Sequence, residues 1–186
     1  NTCGNSNDFG TALIGDKLAF GVGEKTILSN SIINTGKWYH VAVTRQQSNG
    51  QMRLYINGQL EKTDNSHGNA INCGSQITIG SINTQRGSFN NSFFGNIDEL
   101  RIWNVVRTAS QISDYFKDTI DRNTSGLIDY YNFDQGIGDG NNTGLNTLID
   151  ISGTNNGGTL TNFALNGGSS NWVKTYIITV NSPGSL

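Results

Sequence analysis

Charge is scarce in this sequence. Asp, Glu, Lys and Arg make up 14% of its 186 residues, 12 basic against 14 acidic, for a formal net charge of −2. A surface so nearly neutral must take its polarity from Asn, Ser, Thr, Gln and Gly, and it gives no electrostatic grip on a nucleic acid backbone. Nucleic acid is therefore excluded as an expected partner. Long apolar runs are also lacking, so no segment is suited to membrane insertion. The chain opens at Asn1 without a signal peptide and reads as an excerpt or mature product of something longer. Two cysteines and two histidines, His40 and His67, do not make a zinc site. Paired carboxylates are missing too. Glu24, Glu61 and Glu99 are widely separated, and Asp98 and Glu99, as neighbours on a strand, face opposite ways. A glycoside hydrolase needs two carboxylates flanking one bond, so the chain is read as not an enzyme.

What is present is enough apolar material, 34%, to build one domain core, and a repeated pattern of short β-like segments. These run at 17 to 22, 26 to 33, 37 to 47, 51 to 62, 76 to 80, 96 to 104, 127 to 133 and 175 to 180, rich in β-branched and aromatic residues. Asn57-Gly58 within "LYINGQL" predicts a tight hairpin, because both residues tolerate positive φ. The two-residue period puts Tyr39, Val41 and Val43 on one side, and Met52, Leu54 and Ile56 opposite Arg53, Tyr55 and Asn57. It also puts Asp98, Leu100, Ile102 and Asn104 opposite Glu99, Arg101 and Trp103. Two packed antiparallel sheets account for these patterns. Residues 108 to 118 read as one short helix, capped by Thr108 or Ser110, with Ile112, Tyr115 and Phe116 on its apolar side.

The stretch "YYNFDQGIGDGNNTGLNTLIDISG", residues 130 to 153, offers oxygen ligands in place of apolar side chains. From Asp139 it places Asp139, Asn141 and Thr143 at alternate positions, Gly144 at a sharp turn and Asp150 at the close of a twelve-residue span. With the carbonyl of Leu145 these form a candidate Ca²⁺ loop; Asp134 is an additional ligand and Asp98, read as inward-facing, a rival. Turn formation alone also selects Asn, Asp and Gly, so a solvated loop is the competing reading. Cys3 and Cys73, in the similar contexts "NTCG" and "INCG", are either a disulfide suited to an oxidising compartment or two independent thiols.

Four segments taken together, "GKWYHVAVTR" (36 to 45), "MRLYINGQL" (52 to 60), "FFGNIDELRIWNVVRTASQI" (93 to 112) and "GLIDYYNFDQG" (126 to 136), resemble the laminin G-like jelly-roll domains of the concanavalin A-like lectin and glucanase superfamily. "DISGTNNGGTLTNFAL" (150 to 165) resembles the closing stretch of its bacterial branch, found in large secreted or surface-attached proteins. The resemblance implies an all-β jelly-roll sandwich of two antiparallel sheets over residues 1 to 174, lacking the family's usual opening strands. Residues 175 to 186 are then an edge strand or the start of a linker. It further implies an extracellular or cell-surface location and a non-catalytic adhesion or carbohydrate-binding role, with or without calcium, for a glycan or matrix polymer. The alternative is a structural domain that contacts only its neighbours in the parent protein. Trp103, Tyr55 and Trp38 are candidate stacking platforms for a sugar, with Asn104 and Asn57 as candidate amides, although each Trp alone is better explained by packing.

Overall fold

The computed structural model describes residues 8–71, 77–81 and 92–174. Cys3, Cys73 and the strand expected at 175 to 180 lie outside these. The chain gathers into two compact units, residues 1–97 with 103–121, and residues 98–102 with 122–186.

The first unit holds two three-stranded antiparallel sheets. One contains β1 (Phe9–Ile14), β2 (Lys17–Val22) and β3 (Lys25–Ile32) in that order, and the other β4 (Val41–Arg45), β5 (Gln51–Ile56) and β6 (Gln59–Asn65). Their inner faces follow the two-residue period: Leu18, Phe20, Val22 and Ile27 from the first pack with Met52, Leu54 and Ile56 from the second. Tyr39 and Val43 join this core as expected, but Val41 between them is 47% exposed. The sheets meet along β3 and β6. There the Glu61 carboxylate takes the backbone N–H groups of Asn30 and Ser31 and the Ser31 hydroxyl. Burial opposes ionisation of Glu61, yet these donors hold its carboxyl below the usual range.

Asn57 (φ 49°) and Gly58 (φ 78°) form the tight β5–β6 turn that their positive φ favours. α1 (Ala109–Tyr115) carries a full capping box, with Thr108 Oγ1 accepting from Gln111 N and the Gln111 side chain accepting from Thr108 N. It lies over the hairpin turn, where a Cβ on Gly58 would press on Ser113 and Phe116. Ile112 is buried, whereas Tyr115 is 47% exposed, so the apolar side is narrower than the spacing suggests.

The second unit contains β7 (Leu100–Trp103, whose last residue falls in the first unit) paired with β8 (Leu127–Tyr131), and β9 (Thr147–Leu148) paired with β10 (Gly158–Thr159). Among the described residues, its buried side chains are Leu127, Asp129, Tyr130, Tyr131, Asn142 and Leu148.

Three elements differ from the sequence expectation. Residues 37 to 40 leave the strand pattern because they are pinned from the side: Asn34 donates twice to the Tyr39 hydroxyl, and Asn57 Oδ1 accepts the His40 N–H. Residues 77 to 81 form no strand. β1 was not anticipated, because Gly10 interrupts its apolar alternation. No helix among the described residues is long and apolar enough to cross a membrane.

Candidate binding face and the acidic turn

In the first unit the hairpin turn and the loop before β4 brace one another. Asn57 receives the His40 N–H on Oδ1 at 2.9 Å and returns its own N–H to the His40 carbonyl at 2.8 Å. Asn34 fixes Tyr39 from the other end of the loop, and the Tyr39 side chain packs against the core. Between these anchored neighbours Trp38 turns outward and is 58% exposed. An indole held on a braced loop loses little conformational freedom when something stacks on it.

Tyr55 is corrected by the structure. Its side chain is fully buried, so it presents no ring to a ligand. The alternation did place it away from Met52 and Leu54, but that second face is also covered. Trp103 is half-buried, and the Arg107 guanidinium sits 4.2 Å from its ring centroid, covering one π-face. Asn104 is exposed beside it. Asn57 is exposed but spends its side-chain oxygen on His40.

In the second unit Asp150 organises a turn. Oδ1 accepts the N–H groups of Tyr130 and Ser152; Oδ2 accepts the hydroxyls of Ser152 and Thr154 and the N–H of Asn156. Burial works against the charge, but these donors outweigh it and hold the carboxyl far below the usual range. Asn156 also donates to the buried Asp129. This hub was not singled out from the sequence, although "DISGTNN" carried its signal: short hydroxyl side chains two and four residues after an Asp bond back to it.

The residues of the candidate calcium loop are engaged separately. β9 runs through the span, Asn141 Oδ1 caps the Thr143 N–H, and Asp150 is occupied by the donors above. Asp139, at φ 56°, gives its N–H to the Trp172 carbonyl, and Leu145 gives its N–H to the Asn142 carbonyl. Asp98 is exposed two residues before β7, not inward-facing as expected. Its carboxyl is nevertheless pushed up, first by loss of water and then by the charges of Glu99 and Asp134, against the Glu99 N–H that it accepts. Asp134 accepts the Asn132 amide. Among the described residues, no three His, Cys, Asp or Glu side chains are grouped to hold a metal ion.

The acids with most structure around them serve architecture. Glu61 closes the β3–β6 seam, and Glu99 binds Arg101 and the hydroxyl of Tyr130. The laminin G family model described as the Concanavalin A-like lectin/glucanases superfamily matches residues 4–113. The chain belongs to this superfamily. Its fold is accordingly all-β and of jelly-roll type, with mostly antiparallel sheets and one short helix among the described residues.

Two relatives, the "Sushi, von Willebrand factor type A, EGF and pentraxin domain-containing protein 1" of Rattus norvegicus and of Mus musculus, are each 34% identical over 95 residues. That match takes in 48% of this chain and 3% of theirs, so the chain spans a small fraction of these relatives. A Bacteroides ovatus structure, named as a candidate carbohydrate binding protein, shares the fold at a TM-score of 0.67 and 24% identity, over 85% of this chain and 46% of that one. An S-layer domain-containing protein of Clostridium thermocellum is similar over 54% of this chain and 52% of its own at 29% identity, with a TM-score of 0.39.

Proposed function

We propose that the domain is a non-catalytic module of a larger extracellular protein that binds carbohydrate, with Trp38 as the stacking platform. The observation that carries the reading is the 58% exposure of Trp38 on a loop braced by Asn34 and Asn57. An exposed indole covers the C–H face of a pyranose, and neighbouring amides of an uncharged surface bond its hydroxyls. The lectin membership of the superfamily and the name of the Bacteroides ovatus protein support the same class of ligand. Trp103, with one face covered by Arg107, is the secondary candidate.

A glycan array probed with the wild-type domain tests this. Trp38→Ala is expected to weaken any glycan bound on the order of tenfold while the melting temperature holds, and Trp103→Ala to weaken it less. Unchanged binding in Trp38→Ala removes this site. An array without ligands turns the reading to a structural domain that contacts its neighbours in the parent protein.

We also propose that calcium, where the function requires it, is held by Asp98 and Asp134 rather than by residues 139 to 150. Loss of water first, and then the charges of Glu99 and Asp134, raise the Asp98 carboxyl, and a divalent ion beside it would favour its charged form, whereas Asp150 already has a full set of donors. Calorimetric titration should then show calcium binding that Asp98→Ala removes and Asp139→Ala preserves. The reverse pattern restores the loop.

A further inference from the structure

We propose that Asn166 is a site of spontaneous deamidation, the one Asn-Gly pair of four whose side-chain amide the fold leaves able to react, so that the domain acquires a new carboxylate there as it ages. The chemistry needs no enzyme. The backbone nitrogen of the residue after an asparagine attacks the side-chain Cγ. The new N–Cγ bond closes a five-membered succinimide, the Cγ–Nδ2 bond breaks, and ammonia leaves with the proton that the backbone N–H gives up. Solvent water then opens the ring at either carbonyl, giving Asp or isoaspartate. Glycine is the most permissive residue to follow, because it has no side chain to crowd the attack and its backbone turns freely.

The sequence offers this dipeptide at Asn49-Gly50, Asn57-Gly58, Asn156-Gly157 and Asn166-Gly167. Ring closure requires the amide to swing onto the following nitrogen, so a folded chain blocks it by holding the amide or the glycine in place. Three of the four pairs are held. Asn57 Oδ1 accepts the His40 N–H, and Gly58 is buried beneath Ser113 and Phe116. Asn49 Oδ1 accepts the Gln51 N–H, and Gly50 is buried against Ser66. Asn156 is tied at every polar group but one: its amide donates to Asp129 and Thr154, its N–H donates to Asp150, and its carbonyl accepts the Tyr131 hydroxyl.

Asn166 is exposed, and its side chain makes no hydrogen bond among the described residues. Gly167 and Gly168 are exposed as well, and a Cβ on either would meet no atom within 4 Å, so the space around the reacting bond is open. What holds the segment is an isolated antiparallel bridge from Asn166 to Asn141 and the bond from the Asn171 amide to the Gly167 carbonyl. Neither engages the Asn166 amide. An isoaspartate here adds a methylene to the main chain between Leu165 and Gly167, beside the point where the buried Asn142 gives its N–H to the Leu165 carbonyl. The tie between residues 141–142 and 165–166 is therefore what ageing alters, and the one added negative charge takes the formal net charge from −2 to −3. The inference is independent of the carbohydrate reading.

Peptide mapping by mass spectrometry, after incubation of the native wild type in warm, mildly alkaline buffer, reads all four sites at once. The peptide containing Asn166 is expected to gain the mass of NH₂ replaced by OH at least about tenfold faster than those containing Asn49, Asn57 and Asn156. In guanidinium chloride the four rates should converge, because the dipeptide is the same and only the fold distinguishes them. The product at position 166 should be a mixture of Asp and isoaspartate, and Asn166→Gln, whose longer side chain closes a less favoured six-membered ring, should remove the change from that peptide. Any of the other three sites reacting ahead of Asn166 in the native protein overturns the proposal. So does an unmodified Asn166 after the time in which the denatured chain is converted, or a product that is Asp alone.

Discussion

Asp150 shows how one side chain can set a local structure. Five donors converge on it, from the backbone of Tyr130, Ser152 and Asn156 and from the hydroxyls of Ser152 and Thr154. Because hydrogen bonds to a charged group are the stronger kind, Asp150→Ala is expected to cost about 2–3 kcal/mol in urea unfolding. The sign of the pH dependence follows from the lowered folded pKa. The stabilisation is fully present above the unfolded value of 3.8 and is lost as pH falls below it toward the folded value. Asp150→Asn should flatten that part of the acid-unfolding profile, and an unchanged profile would contradict the assignment. Tyr55 presents the opposite case: its buried hydroxyl has no hydrogen-bond partner among the described residues. Tyr55→Phe is therefore expected to leave stability unchanged or raise it by up to about 1 kcal/mol, measured by the same denaturation.

At the scale of elements, the turns were the most legible parts and the strand ends the least. Asn57-Gly58 announced its hairpin because the turn's positive φ restricts which residues fit. The helix from 108 announced its own start through Thr108 and Gln111, and Thr108→Ala should cost about 1 kcal/mol of thermal stability. Gly50 carries a constraint that sequence pattern does not reveal. It adopts φ +71°, and a Cβ there would run into the carbonyl of Ser66, which itself donates its N–H to Gly50. Gly50→Ala is expected to destabilise by roughly 2–3 kcal/mol, through both the left-handed backbone and the clash. A shift in melting temperature within error would show that the 66–68 segment yields freely.

For the whole molecule, neutrality is the property with the widest consequences. A net charge of −2 gives no long-range field for a polyanion, so glycan binding through stacking and amide hydrogen bonds should change little between low and high salt. A steep loss of affinity with salt would point to charged groups instead. Incubation with polysaccharides should release no new reducing ends, since Glu61 and Glu99 are committed to structural partners.

The sequence by itself determined the all-β class, the inner face of β5, the Asn57-Gly58 turn, the single short helix and the superfamily. Each of these rests on periodicity, φ preference or capping chemistry between residues close in the chain, and such patterns survive in one dimension. Tertiary structure alone decided what each face meets. Tyr55 and Trp38 are equivalent as letters, aromatic residues within predicted strands, yet one is sealed in and the other projects from a braced loop. Asp139 and Asp150 look like two ends of one loop, but donors from Tyr130, twenty residues earlier in the chain, and from the turn beyond Asp150 draw Asp150 into another role. Exposure and hydrogen-bond partnership depend on which distant segments fold against a residue, and local spacing carries no record of them.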